Sequence, residues 1–303
     1  MDLRVEFAGL VLKNPIITAS GTFGFGLEFM NFGDLKRLGG IVVKGLSLKP
    51  REGNPMPRIV ETPCGMLNAI GIQNPGVEAF VRDKLPLLPW RETAIIANLY
   101  ACSVQEFGDL TGVLAGEEGV AALEVNVSCP NVREGGAAFG QDPTQIRKVT
   151  EEVKKRAEGK PVIVKLSPNV TDIGLCARAA QDGGADAVSL INTLLGMAVD
   201  IRTRKPRLAN VVGGLSGPAI KPVALRCVHQ ACKAVSIPVV GIGGIGSAED
   251  ALEFILVGAS AVEVGTANFL RPDQAFRIVD DLPRVMIKAR CKEIAELRGT
   301  LDI

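Results

Sequence analysis

Eight short runs rich in Val, Ile and Ala, each followed by a turn and a helix-like segment, constrain this chain more than any other feature. They are PIITAS (15–20), GIVVKG (40–45), AIIANL (94–99), LEVNVS (123–128), VIVKLS (162–167), AVSLIN (187–192), IPVVGIG (237–243) and AVEVGT (261–266). Their apolar character is nearly continuous instead of alternating, the pattern of parallel strands covered on both faces. Helical segments fall between them. TQIRKVTEEVKKRAEG is amphipathic and ends at Gly159, while SAEDALEFILVG opens with Ser247 and Asp250 at capping-box spacing and closes at Gly258. Eight strands alternating with helices predict a (β/α)8 barrel. The N-terminal MDLRVEFAGLVLKNP alternates like a β-hairpin from residue 3, and no linker or composition shift divides the chain. A single domain over residues 1–303 is therefore expected.

Two intervals exceed what a plain barrel repeat needs. Residues 46–93 carry KPREGNPMPRIVETPCGMLNAIGIQNPG, and residues 193–236 carry GMAVDIRTRKPRLANVVGGLSGPAIKP. Long irregular insertions in a compact domain usually build lids or pockets. Both are expected as loops over the C-terminal mouth.

Charge and cysteine usage exclude several classes of function. The 34 Lys and Arg residues balance 33 Asp and Glu, which argues against nucleic acid or an anionic membrane as the main partner. No apolar run approaches the ~20 residues of a membrane span. Cysteines 64, 102, 129, 176, 227, 232 and 291 are odd in number, scattered and without a CxxC pair. A cytoplasmic chain with mostly reduced thiols fits that usage.

In such a barrel the strands' C-terminal ends face the active site. Read in order, these ends carry Ser20, Lys44, Asn98, Asn126, Lys165, Asn192, Gly243 with Gly244, and Gly265 with Thr266. Each alone is as compatible with a cap as with function, but their shared phase on successive strands points to a site. GIGGIG (241–246) matches the dinucleotide pattern G-x-G-x-x-G, and Glu263 follows at nearly the spacing of the ribose-binding acid. Only one more strand follows, too few for a doubly wound nucleotide domain. The better reading is a phosphate site after strands seven and eight, with Gly243, Gly244, Gly265 and Thr266 as backbone donors.

His229 is the only histidine, expected on the seventh outer helix and away from Cys129. With Cys227 and Cys232 it matches no standard metal spacing, so helix packing is expected and no metal site is assigned. Cys129, in NVSCPNVREGG, therefore has no histidine helper. Without one it lacks the activation of a nucleophile, and the pattern leaves open a buried thiol or a general base. Other barrels stay open too. One is a flavin-free phosphosugar isomerase or lyase using Lys44 or Lys165, and another is a non-catalytic phosphate binder.

NVSCPN followed by GGAAFGQDP, with ETPCGMLNAIGIQNPG upstream, resembles the dihydroorotate dehydrogenases, and within them the NAD-linked class 1B catalytic subunits. The likeness runs from the first strand to VEVGTANFL. It implies a barrel holding one FMN and oxidising dihydroorotate to orotate in pyrimidine (UMP) synthesis. By motif, Cys129 is similar to the class 1 catalytic base, which removes the C5 proton while a hydride leaves C6 for the flavin. Lys44, Asn68, Gly71, Ile72, Asn126, Asn131, Asn192 and Thr193 correspond to the substrate contacts. Ser20, Lys44, Gly45, Asn98, Asn126, Lys165, Ile191 and Gly217 correspond to flavin contacts, with the phosphate at Gly243, Gly244, Gly265 and Thr266. Class 2 relatives carry an N-terminal membrane-associating helix, where this chain has its hairpin. Class 1A relatives resemble it less around GMLNAIGIQNPG and after Cys129. The class 1B likeness also implies a partner subunit carrying FAD and a [2Fe–2S] cluster that passes electrons to NAD. The expected assembly is an α2β2 complex around a homodimer of this chain.

Overall fold

The computed structural model describes residues 1–127 and 140–302. Its centre is a closed barrel of eight parallel strands in chain order: Ile16–Thr18, Gly40–Val42, Ala94–Leu99, Ala122–Asn126, Val162–Lys165, Ala187–Leu190, Val239–Ile242 and Ala261–Val264. The last strand pairs with the first, Val262 opposite Ile16, which closes the ring. Five of the eight consist entirely of buried residues as four- or five-residue runs, which is why the sequence shows continuous apolar stretches where an open sheet would alternate. Each run is one to three residues shorter than the apolar stretch that predicts it. The described trailing residues leave the strand ladder at the barrel mouth.

Outer helices pack around the strands, and their starts are capped as the sequence implies. Asp142 accepts from Thr144 N at 2.8 Å ahead of Pro143–Arg156. That helix stops before Gly159 because Ala157 already caps it and Glu158 turns to a positive φ of 49°. Ser247 accepts from Asp250 N at 3.0 Å and opens Ala248–Leu256. Only half of a capping box forms there, since the Asp250 carboxylate is taken by Gly246 N at 3.0 Å and Lys221 Nζ at 2.6 Å. His229 lies on Lys221–Ala234, between the sixth and seventh strands. That is one place earlier around the barrel than the seventh outer helix expected. Its neighbour Cys227 is buried in the core.

The hairpin Val5–Phe7 with Leu10–Leu12 buries Phe7 and Leu12 in the main core. At the opposite end, the two long insertions are more ordered than the loops expected. They meet in a four-stranded antiparallel sheet in the order Leu194–Met197, Val212–Ser216, Gly65–Asn68, Ile59–Thr62. Gly214 stands opposite Asn68, and Leu215 opposite Leu67. Val60, Leu67, Ala69 and Leu208 form a small core of their own beneath this sheet. Among the described residues no helix is long and apolar enough to cross a membrane.

Candidate active site

A cavity of about 660 Å³ opens at the C-terminal mouth, between the barrel rim and the antiparallel sheet. Every described residue that the sequence assigns to substrate or flavin reaches its lining. The barrel rim contributes Ser20, Lys44, Gly45, Asn98, Asn126, Lys165, Ile191, Asn192, Gly243, Gly244, Gly265 and Thr266. The insertions contribute Asn68, Gly71, Ile72 and Gly217, and Thr193 joins the two groups. Cys129 and Asn131 lie outside the described residues.

Strand register explains how the polar set is built. Side chains two residues apart on a strand share a face. Glu124 therefore lies two residues deeper in the barrel than Asn126, and Glu263 two residues deeper than Gly265. Asn98 is paired with Glu124 across the third and fourth strands, Asn126 with Lys165 across the fourth and fifth, and Ser189 with Lys165 across the fifth and sixth. Asn98 Nδ2 donates to Glu124 Oε2 at 2.6 Å, and Ser189 Oγ donates to Oε1 at 2.7 Å. Lys165 Nζ reaches Glu263 Oε2 at 3.3 Å and Glu124 Oε2 at 3.5 Å.

Burial opposes ionisation of Glu124, but the Lys165 charge and hydrogen bonds from Glu263, Ser189 and Asn98 outweigh it and hold the carboxyl below the usual range. Glu263 moves the other way: burial and then the Glu124 charge keep it well above that range. Lys165 is likewise desolvated, yet the two acids beside it raise it and keep it an ammonium. Glu263 thus serves the barrel interior, and the ribose-binding role considered for it has no place here.

The cavity wall is cationic. Lys44, Arg58, Lys165 and Arg271 line it, and no Asp or Glu does so among the described residues. Lys44 makes no ion pair among the described residues; burial first, and then the nearby Arg58 charge, lower its pKa. Such a surface favours anions.

Local backbone features bring the walls close. Gly243 and Gly244 have φ of 128° and 71°, and a Cβ on Gly244 would lie 2.9 Å from Lys221 N. Only glycine lets this loop pass under the start of the helix Lys221–Ala234 and leave its amides at the cavity. Thr266 Oγ1 donates to Ser216 Oγ at 2.8 Å, tying the rim after the eighth strand to the antiparallel sheet. Ile72 takes φ 56°, uncommon for a β-branched residue. Asn74 holds it there, with Nδ2 donating to Ile72 O at 2.8 Å and to Ser47 Oγ at 2.8 Å. On the other side Asn169 Nδ2 donates to Thr193 O at 3.0 Å, and its Oδ1 accepts from Leu195 N at 3.0 Å.

Sequence reading missed the supporting residues Glu124, Arg58, Asn74, Asn169 and Ser216, and met Glu263 only as a candidate ribose-binding acid. The available signal was a lone glutamate inside an apolar strand, in ALEVN and again in AVEV. Cys227, His229 and Cys232 lie on one outer helix, Cys227 buried and the other two half-buried.

A (β/α)8 barrel with a cationic, amide-lined pocket at its C-terminal mouth belongs to the class of barrel proteins that bind anionic ligands there. The comparisons narrow this further. The family model for dihydroorotate dehydrogenase matches residues 2–286. Over 303 residues the chain is 71% identical to the "Dihydroorotate dehydrogenase B (NAD(+)), catalytic subunit" of Maridesulfovibrio salexigens, covering 100% of this chain and 99% of that one. It is 70% identical to the protein of the same description from Solidesulfovibrio magneticus, again over 100% and 99%. A DHODH from Eimeria tenella, solved in complex with ferulenol, superposes with a TM-score of 0.83 at 22% identity, over 99% of this chain and 88% of that one. The chain belongs to the dihydroorotate dehydrogenase family.

Proposed function

We propose that this chain oxidises dihydroorotate to orotate in pyrimidine synthesis, with FMN in the barrel mouth, and passes the electrons to NAD through a partner subunit. The observation that carries this reading is the cavity itself, cationic, free of acid among its described lining residues and bordered by side-chain amides. Those properties suit a phosphate, a carboxylate and a ring with both donors and acceptors.

The residues fit a flavin nucleotide. Asn98 Oδ1 is buried without a hydrogen-bond partner among the described residues, so an acceptor waits at the cavity edge. A Cβ on Gly45 would lie 3.0 Å from that same oxygen, so the bare backbone of Gly45 leaves room beside it. Ser20, Lys44, Gly45, Asn98, Asn126, Lys165, Ile191 and Gly217 would hold the ring system, and Gly243, Gly244, Gly265 and Thr266 the phosphate. When bound, FMN supplies the acceptor for the hydride that leaves C6.

The chain's own groups do the rest. The Lys44 ammonium neutralises the substrate carboxylate and fixes the ring by that edge. Asn68, Asn126, Asn131 and Asn192 offer amide donors and acceptors to the ring, with Gly71, Ile72 and Thr193 closing around it. Cys129 takes the C5 proton; a thiol of pKa about 8.5 is partly ionised near neutrality and needs no histidine. Lys165 keeps a positive charge at the cavity floor, where negative charge develops on the electron acceptor.

We further propose that residues 1–303 act as one FMN-binding domain in the cytoplasm, where the six described cysteines remain free thiols. The relatives' description as a catalytic subunit linked to NAD(+) supports a separate electron-transfer subunit. FAD and a [2Fe–2S] cluster would sit on that partner, in an α2β2 assembly around a homodimer of this chain. Chromatography of the chromophore released from the purified chain tests the cofactor, and NAD-dependent orotate formation with and without the copurifying subunit tests the relay. FMN as the chromophore and strict dependence on the subunit are expected. A colourless chain that FMN cannot restore would overturn the reading.

A further inference from the structure

Beneath the cavity, the barrel interior holds more charge than the proposed chemistry uses. Glu124, Lys165 and Glu263 are the only charged residues among the buried described set, with relative exposures of 0%, 5% and 2%. Ionised together they would leave one unbalanced negative charge at the floor of a site built for anions. A buried unpaired charge costs several kcal/mol by order of magnitude.

Hydrogen-bond counting shows how the structure avoids it. Glu124 is surrounded by donors: Asn98 Nδ2 at 2.6 Å, Ser189 Oγ at 2.7 Å and Lys165 Nζ at 3.5 Å. Glu263 Oε2 meets the same Lys165 Nζ at 3.3 Å, and that ammonium is the one donor the described residues give it. One buried ammonium cannot balance two carboxylates, so one of the two acids around Lys165 keeps its proton. The donor-rich environment of Glu124 places it on Glu263. Among the described residues the next charged side chains on the cavity side, Lys44, Arg58 and Arg271, are all cationic and add no acid to share it.

We propose that Glu124 and Glu263 hold one proton between them, so that with Lys165 they form an electrically neutral floor, and that both are positioning residues for the Lys165 ammonium. Lys165 then presents the cavity with a fixed dipole instead of a net charge. The pair is also self-compensating. Neutralise either carboxyl and the other, ionised, balances Lys165; neutralise both and the ammonium stands alone.

The first arm of the test needs no flavin. Infrared spectra of the flavin-free chain at neutral pH should show the carbonyl stretch of a buried, protonated carboxylic acid. Both Glu263→Gln and Glu124→Gln should abolish it, the latter by letting Glu263 ionise. Absence of the band in the wild-type chain overturns the proposal whether or not any variant folds.

The second arm rests on the flavin reading. It measures the ratio of dissociation constants for oxidised and reduced FMN. Glu263→Gln and Glu124→Gln should each leave this ratio within ~3-fold, while the double variant should favour reduced FMN by at least ~10-fold, as one uncompensated charge would. Tenfold corresponds to about 30 mV in the two-electron potential. A ~10-fold shift already in each single variant would mean that both acids are ionised, and would overturn the proposal. A chain that shows the band but binds no FMN would refute the flavin reading and leave the shared proton standing.

Discussion

Asn98 and Glu124 stand opposite each other on adjacent barrel strands, and the Asn98 amide donates to the Glu124 carboxylate at 2.6 Å with both side chains fully buried. The other amide atom, Oδ1, has no partner among the described residues and is 3.0 Å from where a Gly45 Cβ would be. One side chain thus links the charged barrel floor to the cavity. Asn98→Ala should cost about 1–3 kcal/mol by stripping a donor from a buried carboxylate. Asn98→Asp should cost more, since it sets a second carboxylate against Glu124. Urea unfolding of the two variants checks the order, and a less damaging Asn98→Asp would contradict it.

Lys44 governs the pH dependence of anion binding. A carboxylate ligand needs its ammonium, so affinity is full below the Lys44 pKa and is lost as pH rises through it. Burial and the Arg58 charge lower that pKa, so the loss should begin below the ordinary lysine value of 10.5. Orotate titrations across alkaline pH, on a Cys129→Ala background that removes the thiol's own titration, should show it. Lys44→Met should weaken orotate by roughly 10–100-fold, the worth of one charge-assisted hydrogen bond, and should flatten the profile.

Gly244 tests the phosphate locus. Its φ of 71° and the 2.9 Å approach of Lys221 N leave no room for a side chain. Gly244→Ala should cost about 1–2 kcal/mol from the left-handed backbone alone. The displaced amides should weaken FMN by at least ~10-fold while the barrel still folds. Circular dichroism and flavin fluorescence titration separate the two effects. Unchanged FMN affinity would move the phosphate elsewhere.

Cys129→Ala should leave flavin bound and cut turnover by about 10²–10⁴-fold, the usual size of a general-base contribution. In the wild-type chain the rate of flavin reduction should rise with pH as the thiol ionises. A flat profile from acid to alkaline pH would assign the proton to another group.

The barrel was legible in the sequence because parallel strands buried on both faces leave unbroken apolar runs, and the polar residue that ends each run marks the rim. Lys44, Asn98, Asn126, Lys165 and Asn192 were found in this way, and all five line the cavity. Glu124 was not, and Glu263 was met only as a candidate ribose-binding acid. Each sits inside an apolar run, and what makes its burial tolerable, Lys165, Ser189 and Asn98, comes from other strands 26 to 98 residues away. The antiparallel sheet over the mouth escaped for a similar reason. Its central pairing joins Gly65–Asn68 to Val212–Ser216, short Gly-containing segments about 146 residues apart whose own pattern reads as loop. Asn74 and Asn169 look like ordinary loop residues until the backbones they tether, at Ile72 and Thr193, come to the cavity wall.

The account rests on one claim, that the mouth of this barrel holds FMN and dihydroorotate together. The direct test is to mix the purified chain with dihydroorotate without oxygen and follow the visible spectrum. Bleaching of the yellow flavin band, with one orotate formed per flavin, is the predicted result. A yellow chain that stays oxidised with dihydroorotate, even with its partner subunit present, would contradict the claim.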